Sequence, residues 1–358
     1  MPHNLTIGSP TGSSPTEKDG FFYVILAFMR DDSPADERLD LETRARLRAI
    51  VADIFTRHGG NGSTLHRANG WTNSTWLAGD LALRLSTLSG TDRLRREARL
   101  VRLLPREVGY PPVVDTGVTQ GHEWSLTRMV HGRNLGEVWP ELDWETRISA
   151  LEQLWQKAAA VHTVPIEKAA GLALDQPWFN APTLEASQAR LESLAAQGIL
   201  AASQVNALVA LLERFWQVRP SASCVLNHGD WTIENAIWRD GQVVSLLDFE
   251  FAVIAPVEVD LVELIKVAFT DAESPFPDPG GAGMKRLRQA VSAIARPLLA
   301  HPYAWELLTG YAILLEQWMM EEYLRHPEGE GPLELYGAYH NLVSLAGGQS
   351  SFFAPLFA

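Results

Sequence analysis

The sequence predicts an α+β fold in two lobes, an antiparallel sheet with a helix first and a mainly helical lobe after it. Three observations lead there. Short strand-like runs separated by two-residue turns crowd residues 65–130, whereas apolar residues recur at helical period from residue 143 onward. Within the helical half, one hairpin-like stretch at residues 236–247 is bracketed by His228-Gly229-Asp230 and Asp248-Phe249-Glu250. The expected organisation is a tail at residues 1–36, a first lobe at 37–131 and a helical second lobe at 132–358.

The elements follow in order. Residues 1–20 are rich in Ser, Thr, Pro and Gly and read as a tail; the apolar run 21–28 is too short to span a bilayer at about 20 residues. Leu47, Ile50, Val51, Ile54 and Phe55 mark an amphipathic helix closed by Gly59-Gly60. Asn69, Gly70, Trp71, Thr72 and Asn73 form a polar turn before two runs, 74–78 and 81–85, joined by Gly79-Asp80 as a hairpin turn. In the second run Arg84 alternates with Leu83 and Leu85, so it faces away from the leucines. A helix over 92–104 carries Leu94, Val101 and Leu104 on its apolar stripe, with Glu97 inside that stripe. A buried carboxylate needs a cation, and Arg84 is the natural partner. Residues 112–118 and 123–130 read as a further strand pair, and Gly132 opens a linker. Helices begin near Asp143, around Leu208, at Asp260 and at Pro302. Residues 278–285 lack the Gly-Lys-Ser/Thr spacing of a phosphate loop.

Composition narrows the classes. With 358 residues, 46% hydrophobic and 20% charged, the chain suits a globular protein of about two domains or lobes. A net charge of −13 argues against nucleic acid as a partner. The single Cys224 excludes an intramolecular disulfide and fits a reducing cytoplasm; at the head of an apolar run it reads as a small core residue. No membrane-spanning run and no zinc-type His/Cys spacing stand out.

The spacing His228-Gly229-Asp230-x-x-x-x-Asn235, with Asp248 thirteen residues on, has the parts of a phosphoryl-transfer centre. Such transfer needs a carboxylate for the attacking hydroxyl and oxygen ligands for magnesium on the phosphates. Here the chain resembles the aminoglycoside phosphotransferase and choline kinase group of small-molecule kinases, with a protein-kinase-like fold, over roughly residues 64–265. The resemblance implies Asp230 as the catalytic residue and Asn235 and Asp248 as magnesium ligands. It implies Arg84 and Glu97 as the strand cation and helix carboxylate at the nucleotide, with Thr72 and Asn73 in the loop over its phosphates. Met129 and Val130 are expected at the base edge. The chain departs from the protein-kinase pattern in carrying Arg84 where Lys is usual. His228 is expected to brace the loop, and Glu250, read as two places along a strand from Asp248, to support the metal or substrate. Asp260 is expected to cap and brace, and His162 to be structural.

The co-substrates implied are Mg2+ with ATP or GTP. Residues 306–334 hold seven glutamates, Glu306, Glu316, Glu321, Glu322, Glu328, Glu330 and Glu334, against Arg325, which favours a cationic acceptor; a solvated acidic helix face explains them equally well. The acceptor's contact residues and the oligomeric state are not legible. A pseudokinase is the rival reading, but Asp230, Asn235 and Asp248 are all retained.

Overall fold

The computed structural model describes residues 40–60, 65–68, 73–269, 278–325 and 332–357. The expected tail and residues 21–28 lie outside them, as do Thr72 and the rest of the turn at 69–72.

The first lobe is a five-stranded antiparallel sheet in the order β1-β2-β3-β5-β4. It follows helix α1 (Leu41–Arg57), whose N-cap Asp40 accepts from the N–H of Thr43 at 2.8 Å. The strands are β1 (His66–Ala68), β2 (Asn73–Ala78), β3 (Leu81–Ser89), β4 (Val113–Thr119) and β5 (His122–Arg128). Gly79-Asp80 makes the β2–β3 turn, as the sequence predicts. Alternation gives the sheet two faces. Leu81, Leu83, Leu85, Trp124 and Leu126 pack against Leu47, Ile50, Val51, Ile54 and Phe55 of α1 as a separate small core. The other face carries Arg84, paired in register with Ser125, and turns toward helix α2 (Arg93–Leu100). That helix ends four residues before the predicted boundary, with a 3-10 turn over Val101–Leu103.

After the linker come β6 (Arg133–Asn134) and the short α3 (Leu135–Val138), then α4 (Trp144–His162), α5 (Ile166–Ala169), α6 (Leu184–Ala196) and α7 (Ala202–Val218). Asp143 caps α4. Two small sheets interrupt the helices. Strand β7 (Val225–Asn227) pairs with β10 (Val253–Ala255); β8 (Ala236–Arg239) and β9 (Gln242–Leu246) form the expected hairpin alongside β6. Asp240 and Gly241 both have positive φ, 51° and 79°, which matches the right-handed twist of the hairpin. Helices α8 (Glu258–Phe269), α9 (Ala282–Leu298), α10 (Ala304–Arg325), α11 (Gly337–Ala346) and α12 (Ala354–Phe357) complete the second lobe. Most of α8 is buried, so it forms the spine against which the loops rest.

Cys224 departs from expectation. It is exposed, because β7 begins only at Val225 and the preceding residues form a surface turn. Among the described residues no helix is long and apolar enough to cross a membrane.

Candidate active site

The loop between β7 and β8 is held from below. The backbone N–H groups of His228 and Gly229 donate to the two carboxylate oxygens of Asp260 at the head of α8, each at 2.9 Å. His162, at the end of α4, sets Nε2 3.0 Å from the same carboxylate. Burial pushes the Asp260 carboxyl up, but the hydrogen bond and charge of His162, with His228 and the Gly229 N–H, outweigh it and hold the group below its ordinary value. Asp260 and His162 thus brace the loop, as their sequence positions imply.

His228 ties this loop to the next. Its Nδ1 accepts from the N–H of Asp230 at 3.3 Å, which leaves the proton on Nε2 to donate to the carbonyl of Leu247 at 2.7 Å. Burial lowers the imidazole pKa and favours that neutral form. Gly229 adopts φ +84°, and a Cβ there would lie 2.1 Å from the carbonyl oxygen of Phe251. The two loops therefore touch backbone to backbone, which only glycine permits.

Asp230 and Asn235 meet across the first loop. The Asn235 amide donates from Nδ2 to the Asp230 carbonyl at 2.8 Å and to its carboxylate at 3.1 Å. Burial raises the Asp230 carboxyl to about 7, the charge of Asp248 adding to it and the Asn235 amide opposing. The carbonyl of Asn235 accepts from the N–H of Leu247 at 2.7 Å and so sets Asp248 alongside.

Asp248 sits at φ +64°, in the left-handed region. The segment 247–250 has already left the strand, which ends at Leu246, so the expected placement of Glu250 along a strand is corrected: it lies in the turn that follows. Glu250 is buried nonetheless, and accepts from the Asn73 amide at 3.3 Å on each oxygen. Its carbonyl accepts from Arg96 at 2.7 Å.

Arg84 joins these parts. One guanidinium nitrogen donates to Glu97 and the other to Asp248, each at 2.6 Å, with Glu250 3.7 Å away. Burial opposes the charge of Arg84, but Asp248, Glu97 and Glu250 together hold its pKa well above the ordinary value. Glu97 also accepts from the hydroxyl of Tyr110 at 3.0 Å and from the N–H of Phe249 at 2.9 Å. Burial lifts the Glu97 carboxyl to about 7 despite Arg84.

The linker brings Met129 and Val130 between the lobes, both partly exposed. The N–H of Met129 is already taken by the carbonyl of Asp80 at 2.8 Å. Arg84, Glu97, Asn73, Glu250, Asp248, Asn235, Asp230 and His228 thus form one connected network; Met129 and Val130 stand apart from it. Thr72 lies outside the described residues. The sequence alone does not single out Tyr110, Arg96 or Glu234. Tyr110 sits in an aperiodic connection and offers no signal, but Glu234 falls between Asp230 and Asn235 and its acidity was visible.

The donor set suits magnesium. With Nδ2 of Asn235 committed to Asp230 and one Asp248 oxygen on Arg84, the remaining Asn235 Oδ1 and Asp248 Oδ2 are hard oxygens. Among the described residues no cluster of three or more His, Cys, Asp or Glu forms a ready-made cage. Two protein oxygens completed by phosphates and water match the preference of that ion.

Of the seven glutamates at 306–334, Glu328 and Glu330 lie outside the described residues, and three of the others carry partners. Glu316 is buried on Lys266 at 2.9 Å, Glu321 pairs with Arg190 at 3.1 Å and Glu322 with Arg325 at 2.6 Å. Two of those cations, Arg190 and Lys266, come from α6 and α8, outside residues 306–334.

A model of the phosphotransferase enzyme family APH matches residues 64–298. Among curated proteins, no sequence match is found. Of the solved structures, the GDP complex of wild-type aminoglycoside 2'-phosphotransferase-IIIa is similar over 83% of this chain and 97% of its own, with 18% identity and a TM-score of 0.57. A thermostable mutant of aminoglycoside phosphotransferase APH(4)-Ia, in ternary complex with AMP-PNP and hygromycin B, is similar over 83% and 98%, with 15% identity and a TM-score of 0.58. At these identities the likeness carries the fold, an antiparallel-sheet lobe and a helical lobe.

Proposed function

Because this chain belongs to the APH phosphotransferase enzyme family, we propose that it moves the γ-phosphoryl group of ATP or GTP to a hydroxyl of a small, amine-bearing acceptor. The observation that carries the reading is the double contact of Arg84, at 2.6 Å to both Glu97 and Asp248, beside the Asp230–Asn235 loop. It gathers a phosphate-binding cation, a metal-type carboxylate and a candidate base around one point.

In this mechanism Asp230 orients the acceptor hydroxyl and takes its proton. The hydroxyl oxygen bonds to the γ-phosphorus, the bond from that phosphorus to the β,γ-bridging oxygen breaks, and the nucleoside diphosphate leaves with the electron pair. Asn235 Oδ1 and Asp248 Oδ2 would hold magnesium, which would offset the charge of the nucleotide phosphates. Arg84 supports the phosphates while Glu97 holds it in place. Glu250 and Asn73 fix the turn after Asp248, and His228 fixes the loop before Asp230. Met129 and Val130 meet the base. A cytoplasmic location fits a chain whose one cysteine is exposed and unpaired.

The test is a nucleotide-consumption assay over aminoglycosides, amino alcohols and sugars, with ATP and GTP in parallel. Magnesium-dependent consumption that needs an acceptor supports the reading. Nucleotide binding in a thermal-shift series with no transfer to any acceptor would identify a pseudokinase.

A further inference from the structure

We infer that Tyr110 is a positioning residue for nucleotide binding: its hydroxyl keeps the Arg84 guanidinium divided between Glu97 and the phosphates. The inference rests on the proposed place of Arg84 at those phosphates, and adds the residue that aims it.

The two partners of the Arg84–Glu97 pair belong to different packing units. Arg84 lies on β3, in the sheet whose leucines pack on α1 as the small first-lobe core. Helix α2, which carries Glu97, and the 3-10 turn that ends it send Leu100 and Val101 into the large second-lobe core instead. The connection that follows is fastened to the second lobe as well. Val108 is fully buried in that core, and Lys157 of α4 donates to the carbonyl of Glu107 at 2.8 Å. Gly109 has φ +73°, and a Cβ there would run into the carbonyl oxygen of Val244 in β9, so the connection touches that strand backbone to backbone. Tyr110 comes next. Its ring packs on the same core and meets Phe249 edge-on, with centroids 5.8 Å apart.

The Glu97 carboxylate is shared out accordingly. Its Oε1 accepts from the Tyr110 hydroxyl at 3.0 Å and from the Phe249 N–H at 2.9 Å, both held by the second lobe, while Oε2 accepts from Arg84 at 2.6 Å. With both lone pairs of Oε1 taken, Arg84 is confined to Oε2. Its other nitrogen is left for Asp248 and, in the proposed function, for the phosphates. Arginine readily closes two nitrogens on one carboxylate, because its planar fork matches that geometry. Without the Tyr110 hydroxyl, Oε1 has a vacant acceptor position, and the fork turns onto both oxygens of Glu97 and away from the phosphates. The tyrosine thus acts through Glu97 and touches no reacting atom.

The experiment titrates magnesium–AMP-PNP, and magnesium–GMP-PNP in parallel, into the full chain by calorimetry, so that no acceptor is needed. The proteins compared are the parent, Tyr110→Phe, Arg84→Lys and the double variant. Tyr110→Phe retains the ring against Phe249 and Arg84→Lys retains the charge beside Glu97, so neither opens a cavity or strands the carboxylate. In the parent background, Tyr110→Phe should weaken nucleotide binding by about 10-fold, the worth of one hydrogen bond to a charged group. In the Arg84→Lys background, which has no fork to close on Glu97, the same change should cost less than about 2-fold. A merely structural tyrosine would cost the same in both backgrounds, and that result overturns the inference. So does an unchanged affinity in Tyr110→Phe. An Arg84→Lys protein that no longer binds nucleotide would show that the second nitrogen is needed at the phosphates, which supports the division of the fork. A parent that binds neither nucleotide refutes the proposed function and the role of Tyr110 with it.

Discussion

Replacing Glu97 by alanine removes more than one partner of Arg84. It leaves the Tyr110 hydroxyl and the Phe249 N–H without their acceptor as well, and Phe249 is buried. Since the Glu97 side chain is 1% exposed and that of Arg84 17%, this is a buried pair, and breaking such a pair costs about 3–5 kcal/mol. Arg84→Ala should fall in the same range by a different route, because it leaves Glu97, Asp248 and Glu250 facing one another. Part of that loss is relieved by protonation. Glu97 already titrates near 7, and without the arginine it moves higher, so the Arg84→Ala penalty should be smaller at pH 6 than at pH 8. The double variant should cost less than the sum of the singles by about 0.5–3 kcal/mol, since neither charge is then left without the other. It should not return to the parent value, because Phe249 stays unpaired. Urea denaturation of the four proteins at both pH values measures the cycle. Strict additivity, with no pH dependence in Arg84→Ala, would refute the pairing.

Asp230→Asn should keep magnesium–nucleotide affinity in calorimetry and lower turnover by about 10²–10⁴, the usual worth of a positioned base; near-normal turnover would remove Asp230 from the chemistry. In Asp248→Ala, magnesium should no longer tighten nucleotide binding, and an undiminished magnesium effect in titration would contradict the ligand role. Asp260→Ala strips the acceptor from two loop N–H groups and from His162, and should lower the free energy of unfolding by about 3–5 kcal/mol in urea melts. Glu234 has its folded pKa raised to about 7 from an ordinary 4.5, so its protonated form stabilises the fold below the unfolded value, and that contribution is lost as pH rises through 7. Glu234→Gln should flatten the fall in unfolding free energy between about pH 4.5 and 7 by up to about 1.4 kcal/mol per pH unit, the slope for one proton; an unchanged slope in pH-resolved melts would show that Glu234 is not the titrating group.

The parts of this fold that were legible in sequence are those fixed by local rules. Two-residue turns announced the β2–β3 and β8–β9 hairpins, and strand alternation against helix period was enough to bring Arg84 to Glu97. The candidate site's residues were legible because their spacing sets two carboxylates and an amide on short loops, which the structure brings side by side. What escaped were pairings made across distance. The Tyr110 contact to Glu97 comes from a connection with no period, and the neutralisation of Glu316 and Glu321 comes from helices far away in sequence. The apolar run places Glu250 on a strand because it does not reveal that the ladder stops at Leu246. The apolar run before the His228 loop likewise places Cys224 in the core because it blurs where the strand begins.

The left-handed backbone of Asp248 has a consequence for attempts to make this protein hardier. A non-glycine residue at φ +64° is held there at a cost of about 1–2 kcal/mol, somewhat less for aspartate than for most residues. Glycine takes that conformation without penalty, so selection for thermal endurance alone would favour Asp248→Gly insofar as the strain exceeds the value of the Arg84 contact. Such a variant would be a well-folded protein without the carboxylate that contacts Arg84, the proposed magnesium ligand. A library screened by melting temperature should therefore carry an activity counter-screen at this codon, since under the proposed function endurance and turnover pull in opposite directions here.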